Sequence, residues 1–233
     1  MNVTFPDLNI SAINCNSLNM STVGTTNHLL KIHGIVSLLS DIIILSDIRL
    51  CNSAGTSNLG EITSSLRINP YCSYRLLSNS HKNKRGVGIL IKNSLPLTVL
   101  SEYRDQSDNI LGLRLDLQGN KFAICAIYRP NNIDPDFFAQ LNDCITQMDT
   151  PNIIIGGDWN CTTSCINDDN NPDIINMRSP PNFRHSQLLR ELCEKWHLSD
   201  PYRTKFPLQK EFTYQPSAVI KTNRSRIDFF YCF

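Results

Sequence analysis

Three apolar runs of this chain end alike, each passing directly into small polar or acidic side chains: Ala12-Ile13-Asn14-Cys15-Asn16, Ile43-Ile44-Leu45-Ser46-Asp47 and Ile154-Ile155-Gly156-Gly157-Asp158-Trp159-Asn160. Buried strands that end this way deliver oxygen atoms to a common sheet edge. A hard divalent cation such as Mg²⁺ takes carboxylate and amide oxygens while keeping several waters, and this set supplies such oxygens. Gly156 and Gly157 permit close backbone approach just before Asp158, which is useful where a phosphate must fit. Singly, each Asp or Asn reads as an ordinary turn former at a strand end; the combination points to a site. Asp228 lies inside the apolar stretch Ile227 to Phe233, where an unpaired carboxylate is costly, so a partner for it is expected. Tyr128 ends an alternating strand and, on that ground alone, is a core-edge tyrosine with its hydroxyl at the surface.

The elements that must position these residues follow from periodicity. Leu8, Ile10 and Ala12 alternate as in a strand; Leu29, Ile32, Val36 and Leu39 have helical spacing, with Thr25, Thr26 and Asn27 available as caps; the run Ile42 to Ile44 is a strand. Short strands are predicted at Tyr71 to Leu77, Val87 to Ile91 and Leu95 to Leu100. Leu111, Leu113, Leu115 and Leu117 alternate strictly, and Gln118-Gly119-Asn120 joins them to Phe122 to Tyr128 as a hairpin. Asp134 and Pro135 serve as N-cap and first-turn proline of a helix with the stripe Phe137, Leu141, Cys144 and Met148. A strand at Ile153 to Ile155 precedes a polar loop through Asn182, then an amphipathic helix carries Leu188, Leu189, Leu192, Cys193 and Trp196. Asp200-Pro201-Tyr202 caps and turns the chain, and Phe212-Thr213-Tyr214 and Ile227 to Phe233 are strand-like. Many short strands with a few separated helices make sheets stacked between helical layers, and residues 1–233 read as one domain.

Composition bounds what such a domain can be. With 233 residues, 41% hydrophobic and 18% charged, the chain is globular rather than disordered or collagen-like. No apolar run approaches the roughly 20 residues of a membrane helix, and the first residues show no secretory signal, so no membrane partner is expected. A net charge of +1 provides no global field for a polyanion, which must be met locally. Nine cysteines without repeating spacing read as reduced thiols of an intracellular protein, and Cys161-x3-Cys165 lacks the second pair of a zinc site. The Asn-x-Ser/Thr matches at Asn2, Asn9, Asn19 and Asn160 are read as chance in an asparagine-rich chain.

Asn14-x-Asn16, Asp47, Tyr128-Arg129-Pro130-Asn131, Gly157-Asp158-Trp159-Asn160 and Ser225-Arg226-Ile227-Asp228 occur in an order and spacing that resembles the endonuclease/exonuclease/phosphatase superfamily. The Tyr-Arg-Pro-Asn form, Ser46-Asp47-Ile48-Arg49-Leu50, Ser199-Asp200-Pro201-Tyr202-Arg203 and Phe212-Thr213-Tyr214 look most like the apurinic-type endonuclease domain of non-LTR (LINE-type) retrotransposons. The resemblance spans essentially the whole chain. It implies a deoxyribonuclease-like, four-layered α/β sandwich of two face-to-face β-sheets flanked by helices. It further implies Mg²⁺ (or Mn²⁺) as cofactor and the nicking of double-stranded DNA in the nucleus, leaving a 3′-hydroxyl that primes a reverse transcriptase encoded downstream.

By position, the resemblance makes Asp47 the metal ligand with help from Asn14 or Asn16. Asp158 orients or deprotonates the attacking water, Asn160, Tyr128 and Asn131 contact the scissile phosphate, and Asp228 orients a catalytic histidine. Phosphodiester hydrolysis needs such an aligned water, a proton acceptor and donors for the growing charge. An amide at Asn160 donates without adding negative charge, which suits a phosphate-facing position. Thr213 either faces the phosphate backbone or fills a β-favouring position. His81-Lys82-Asn83-Lys84-Arg85 and Lys221-Thr222-Asn223-Arg224-Ser225-Arg226 are the concentrated basic stretches. In them Lys82, Lys84, Arg85, Arg224 and Arg226 are candidates to pin DNA phosphates, or else belong to solvated loops.

Two departures stand out. Glutamate is usual at the Asp47 position, so the shorter side chain places an ion differently. Members end in a Ser-Asp-His motif, whereas this sequence stops at Phe233, five residues after Asp228, and His28, His33, His81, His185 and His197 all lie upstream. Impaired catalysis and an exposed apolar sheet edge prone to aggregation are therefore expected. The competing readings are a relative acting on abasic DNA, inositol phosphates or sphingomyelin, and a non-catalytic relic that binds nucleic acid without cutting.

Overall fold

The computed structural model describes residues 7–18, 25–50, 74–80, 84–131, 134, 136–163, 171–175, 183–215 and 224–233. Its first sheet begins with β1 (Ile10–Asn14), crosses over through helix α1 (Thr25–Val36) and returns in parallel as β2 (Ile42–Ser46). The strands β3 (Tyr74–Asn79) and β4 (Val87–Lys92) complete it antiparallel, in the order β1-β2-β4-β3. The second sheet is built on the meander β5 (Leu97–Arg104), β6 (Ile110–Leu117) and β7 (Asn120–Tyr128). Helix α2 (Phe137–Met148) then carries the chain to β8 (Ile153–Asp158), parallel to β7, and β11 (Asp228–Cys232) pairs antiparallel on its far side. Between them lie the short β9 (Ile174–Ile175), helices α3 (Phe183–Trp196) and α4 (Pro201–Lys205), and β10 (Arg224–Ser225), which pairs with β9.

Strand alternation sorts side chains between layers. Ile42, Ile44, Val87, Ile89 and Ile91 face Leu111, Leu113, Leu115, Leu117, Phe122 and Ile124 across the two sheets. On the outer side of the first sheet Ile43, Leu45 and Leu90 pack on Ile32, Ile35 and Val36 of α1. On the outer side of the second, Ala123, Cys125, Ile127, Ile153 and Ile155 meet Phe137, Leu141, Cys144 and Met148 of α2, and Leu189 and Leu192 of α3. The result is the expected four-layered α/β sandwich. Each fully buried Ile or Leu contributes roughly 1.5–3 kcal/mol of transfer free energy, so the sandwich core, not local propensity, holds the strands.

The β6–β7 hairpin forms as predicted: Gln118 and Gly119 take positive φ (54° and 89°), and Asp116 accepts from the Gly119 N–H. The capping prediction for α2 is displaced. Asp136 is the N-cap without a side-chain bond, while Asp134, two residues earlier, accepts at Oδ1 from the Asp136 N–H. Leu39 falls outside α1, exposed and at positive φ. The Asp200-Pro201 signal opens a helix: Asp200 Oδ1 accepts from the N–H groups of Tyr202 and Arg203 at 2.9 and 3.1 Å. The pair β9/β10 inside predicted loops was not legible, because two-residue strands have no periodicity. Tyr71, Pro135, Cys165, Asn182, His81, Lys82 and Lys221 lie outside the described residues. The described cysteines Cys15, Cys125, Cys144, Cys161, Cys193 and Cys232 are free thiols. No helix among the described residues is long and apolar enough to cross a membrane.

Candidate active site

Two parallel pairs, β1 with β2 and β7 with β8, bring four C-terminal strand ends to one end of the sandwich. Asn14, Asp47, Tyr128 and Asp158 stand at these ends. Tyr128 is the register partner of Asp158, and β11, running the opposite way, sets Asp228 opposite Asp158 on its other side. Left-handed backbone just past the strands, at Asn16 (φ 43°), Asp47 (54°), Arg49 (52°) and Asn160 (45°), turns the chain sharply. Such conformations cost about 1–3 kcal/mol each and cluster at functional sites.

The pieces are tied together across the sheets. Asn14 Nδ2 donates to Asp158 Oδ2 at 2.8 Å, and the Asn160 N–H donates to Asp158 Oδ1 at 2.8 Å. The Asn16 N–H donates to Asn14 Oδ1 at 3.0 Å. Lys31 of α1 holds the loop after β1 by donating to the carbonyls of Cys15, Asn16 and Ser17. Arg129 is buried and donates from Nε to the Trp159 carbonyl and from Nη2 to the Asn160 carbonyl, both at 2.6 Å. Asn160 Nδ2 returns a bond to the Arg129 carbonyl at 2.7 Å. Trp159 anchors this turn from below, with its ring stacked on Phe229 and its Nε1 on the Phe229 carbonyl.

Burial, then the facing charge of Asp228, pushes the Asp158 carboxyl up from 3.8 to about 7, against the pull of the Asn160 and Asn14 donors. Asp228 is raised by burial, with Thr213 acting the other way. Its Oδ1 has no hydrogen-bond partner among the described residues, although Thr213 Oγ1 accepts from the backbone N–H groups of Ile227 and Asp228. Asp228 opens onto a cleft of about 280 Å³ that Ala12, Tyr202, Phe212, Thr213 and Phe230 also line. Burial raises the Tyr128 hydroxyl, as do the carboxylates of Asp47 and Asp158, while Arg49 and Arg85 lower it.

The structure thus brings Asn14, Asn16, Asp47, Tyr128, Asp158, Asn160, Asp228 and Thr213 to one end. Asn131, Lys84 and Arg224 are exposed and Arg85 is half-buried; Lys82 lies outside the described residues. Arg226 departs from expectation. It is 5% exposed, with Nε on Asp173 Oδ1 at 2.7 Å and Nη2 on Asp200 Oδ2, and its guanidinium lies 5.3 Å from the Tyr202 ring. Burial opposes its charge, but the bonds from Asp173 and Asp200 prevail and raise its pKa. Both anions are satisfied inside the fold, so Arg226 is a structural ion-pair residue rather than a phosphate contact. Arg226→Met is expected to cost about 3 kcal/mol in urea unfolding, because Asp200 is left without its cation; a loss below about 1 kcal/mol would refute that role.

The two glycines are explained differently from expectation too. A Cβ on Gly157 (φ 137°) would lie 2.0 Å from the Ile127 carbonyl oxygen, and one on Gly156 would lie 2.6 Å from the Phe230 ring. Their bareness serves strand packing.

The metal donors are arranged but closed. Arg49 Nε donates to Asp47 Oδ1 at 2.8 Å and Nη2 to Asp47 Oδ2 at 2.6 Å, with Asn16 Oδ1 3.5 Å from the same Nη2. Asn14 Oδ1 already accepts from Asn16. Mg²⁺ needs oxygens at about 2.0–2.1 Å in octahedral geometry, and each expected donor oxygen already faces an N–H group. Among the described residues no three of His, Cys, Asp and Glu stand close enough to share a metal. As folded, Asp47, Asn14 and Asn16 do not fit a divalent ion. Arg49 and Arg129 both lie in motifs visible in the sequence, but nothing in spacing assigned them these partners.

No protein-family model matches the chain. Among solved structures, the AP endonuclease LMAP from Leishmania major is similar at TM-score 0.74 and 14% identity, over 97% of this chain and 78% of that one. The 3′ phosphatase NExo from Neisseria, bound to a product DNA hairpin, is similar at TM-score 0.66 and 15% identity, over 97% and 86%. The endonuclease domain of TRAS1, a telomere-specific non-LTR retrotransposon, is similar at TM-score 0.61 and 13% identity, over 97% and 85%. With these likenesses over nearly its whole length, the chain shares the deoxyribonuclease-like α/β fold of these proteins.

Proposed function

We propose that this chain is a DNA phosphodiester hydrolase of the nicking type, the endonuclease domain of a non-LTR retrotransposon that leaves a 3′-hydroxyl for reverse transcription. The observation that carries the reading is the convergence of Asn14, Asp158 and Asn160 at one sheet end with Asp228 opposite Asp158. The motif forms beyond the superfamily pattern favour the retroelement over the repair enzyme, while the chain's fold is common to the TRAS1 domain and the AP endonuclease alike.

In this reading Asp158 accepts the proton of the attacking water. A carboxyl brought to about 7 is matched to that task near neutral pH, and the two amide donors on its oxygens fix its direction. The Tyr128 hydroxyl and Asn131 meet the scissile phosphate, and Lys84, Arg85 and Arg224 hold flanking phosphates. Asp228 orients an imidazole that these described residues do not supply. A second reading, DNA binding without cutting, draws on the same unpaired Oδ1 and on the closure of Asp47 by Arg49.

Nicking of supercoiled plasmid in Mg²⁺, with and without free imidazole, separates these readings. Slow nicking that imidazole accelerates by tenfold or more, and that Asp228→Asn no longer lets imidazole accelerate, is the expected result. Plasmid binding without nicking at any imidazole concentration would establish the second reading. Preferential cleavage of abasic duplex would point to repair, and phosphate release from inositol phosphates to a phosphatase.

A further inference from the structure

Among the described residues Arg49 is the one cation bound directly to the expected metal carboxylate, and nothing in the proposed reaction uses it. Asp47 and Arg49 share left-handed backbone (φ 54° and 52°) on either side of Ile48, which is fully buried. That geometry brings the two charged side chains together and lets the guanidinium fork close on the carboxylate at 2.8 and 2.6 Å. The backbone fixes the turn further through the Arg49 N–H on the Arg85 carbonyl at 2.7 Å. Asp47 is nearly enclosed, its side chain 6% exposed, while that of Arg49 is 37% exposed. The carboxylate therefore cannot leave, but the guanidinium has solvent to move into.

A planar two-point pair of this kind is among the stronger protein hydrogen-bonded contacts. It also excludes a divalent ion, since a nitrogen at 2.6 Å and a metal at about 2.0 Å cannot share the same oxygen face. We propose that Arg49 is a built-in competitor for the cation position: it neutralises Asp47 in the resting chain, and a divalent metal binds there only when the guanidinium swings out. The inference rests on the nuclease reading for the choice of metal alone, since the competition is a property of the pair itself.

The test is Mn²⁺ binding to the full chain without DNA, followed by electron paramagnetic resonance, for the wild type, Arg49→Gln, Arg49→Lys and Arg49→Gln combined with Asp47→Asn. Wild-type binding should be weak. Arg49→Gln should tighten it at least tenfold, Arg49→Lys, which loses the fork but keeps a charge, about threefold, and the double variant should lose the gain. Circular dichroism reports folding, and if Arg49→Gln fails to fold, the Arg49→Lys result decides. Unchanged or weaker Mn²⁺ affinity in the folded Arg49 variants, or a gain that survives Asp47→Asn, would overturn the proposal. Because no cleavage is read, failure of the hydrolase reading leaves this outcome intact.

Discussion

Asp158→Asn is expected to abolish imidazole-stimulated nicking and, at the same time, to make the protein less sensitive to rising pH. Removing a general base costs about 10²–10⁴-fold in rate, so a loss near 10³-fold is expected. The stability effect follows from burial. In the folded chain the carboxyl titrates at about 7 rather than 3.8, so the folded state holds this proton more tightly than the unfolded one. The resulting stability is fully present below about pH 4 and is lost as pH rises through 3.8 toward 7. Asp228, raised in the same direction by burial, adds to the loss.

At about 1.36 kcal/mol per pH unit, the wild type should lose about 2.6 kcal/mol from this group between pH 5 and pH 8, a loss that Asp158→Asn escapes. The amide brings its own cost, since the Asn14 and Asn160 donors meet different carboxylate oxygens and the new NH2 must face one of them, so the slope with pH is the telling quantity rather than the stability at one pH. Urea unfolding of both proteins at pH 5, 6, 7 and 8, with metals chelated, measures it. Parallel pH profiles for the two would show that Asp158 does not titrate in the folded chain as described.

Gly157→Ala should be the most damaging added methyl among the described glycines. Its φ of 137° is strained for any residue with a Cβ, and that Cβ would lie 2.0 Å from the carbonyl oxygen of Ile127 on the neighbouring strand. Backbone strain of about 1–3 kcal/mol adds to the cost of parting β7 from β8, together about 4 kcal/mol or more. That approaches the whole stability of a typical domain, about 5–15 kcal/mol. Gly119→Ala is the control: φ is 89°, but nothing lies within 4 Å of the added carbon, so it should cost only about 1 kcal/mol. Denaturant midpoints compare the two directly. A Gly157→Ala chain within about 1 kcal/mol of wild type would mean that β7 and β8 separate more easily than this contact implies.

Periodicity made most strands and helices legible, because their apolar faces repeat at two or at 3.6 residues and the core they enter is the main stabilising force. The strict alternation of Leu111 to Leu117 and the stripe Phe137, Leu141, Cys144 and Met148 are cases in which pattern and packing agree. Where signals were single residues, neighbours won: Asp134 does not cap α2, and Leu39 is not part of α1. The site was legible as a set of strand ends, since Asn14, Asp47 and Asp158 each follow an apolar run, and parallel pairing of such runs must bring their ends together.

What the residue order determined by itself was therefore the sandwich and the end of it where the polar groups meet. Only the tertiary structure decided which charges are free and which are already paired. Arg226 looked like a surface cation beside Asp228 but lies buried between Asp173 and Asp200, and Asp47 looked like an open ligand but is closed by Arg49. The physical reason is that periodicity reports which face of an element is apolar. A charge is answered by whichever partner folding brings within about 3 Å, and for Arg226 that partner lies 53 residues away.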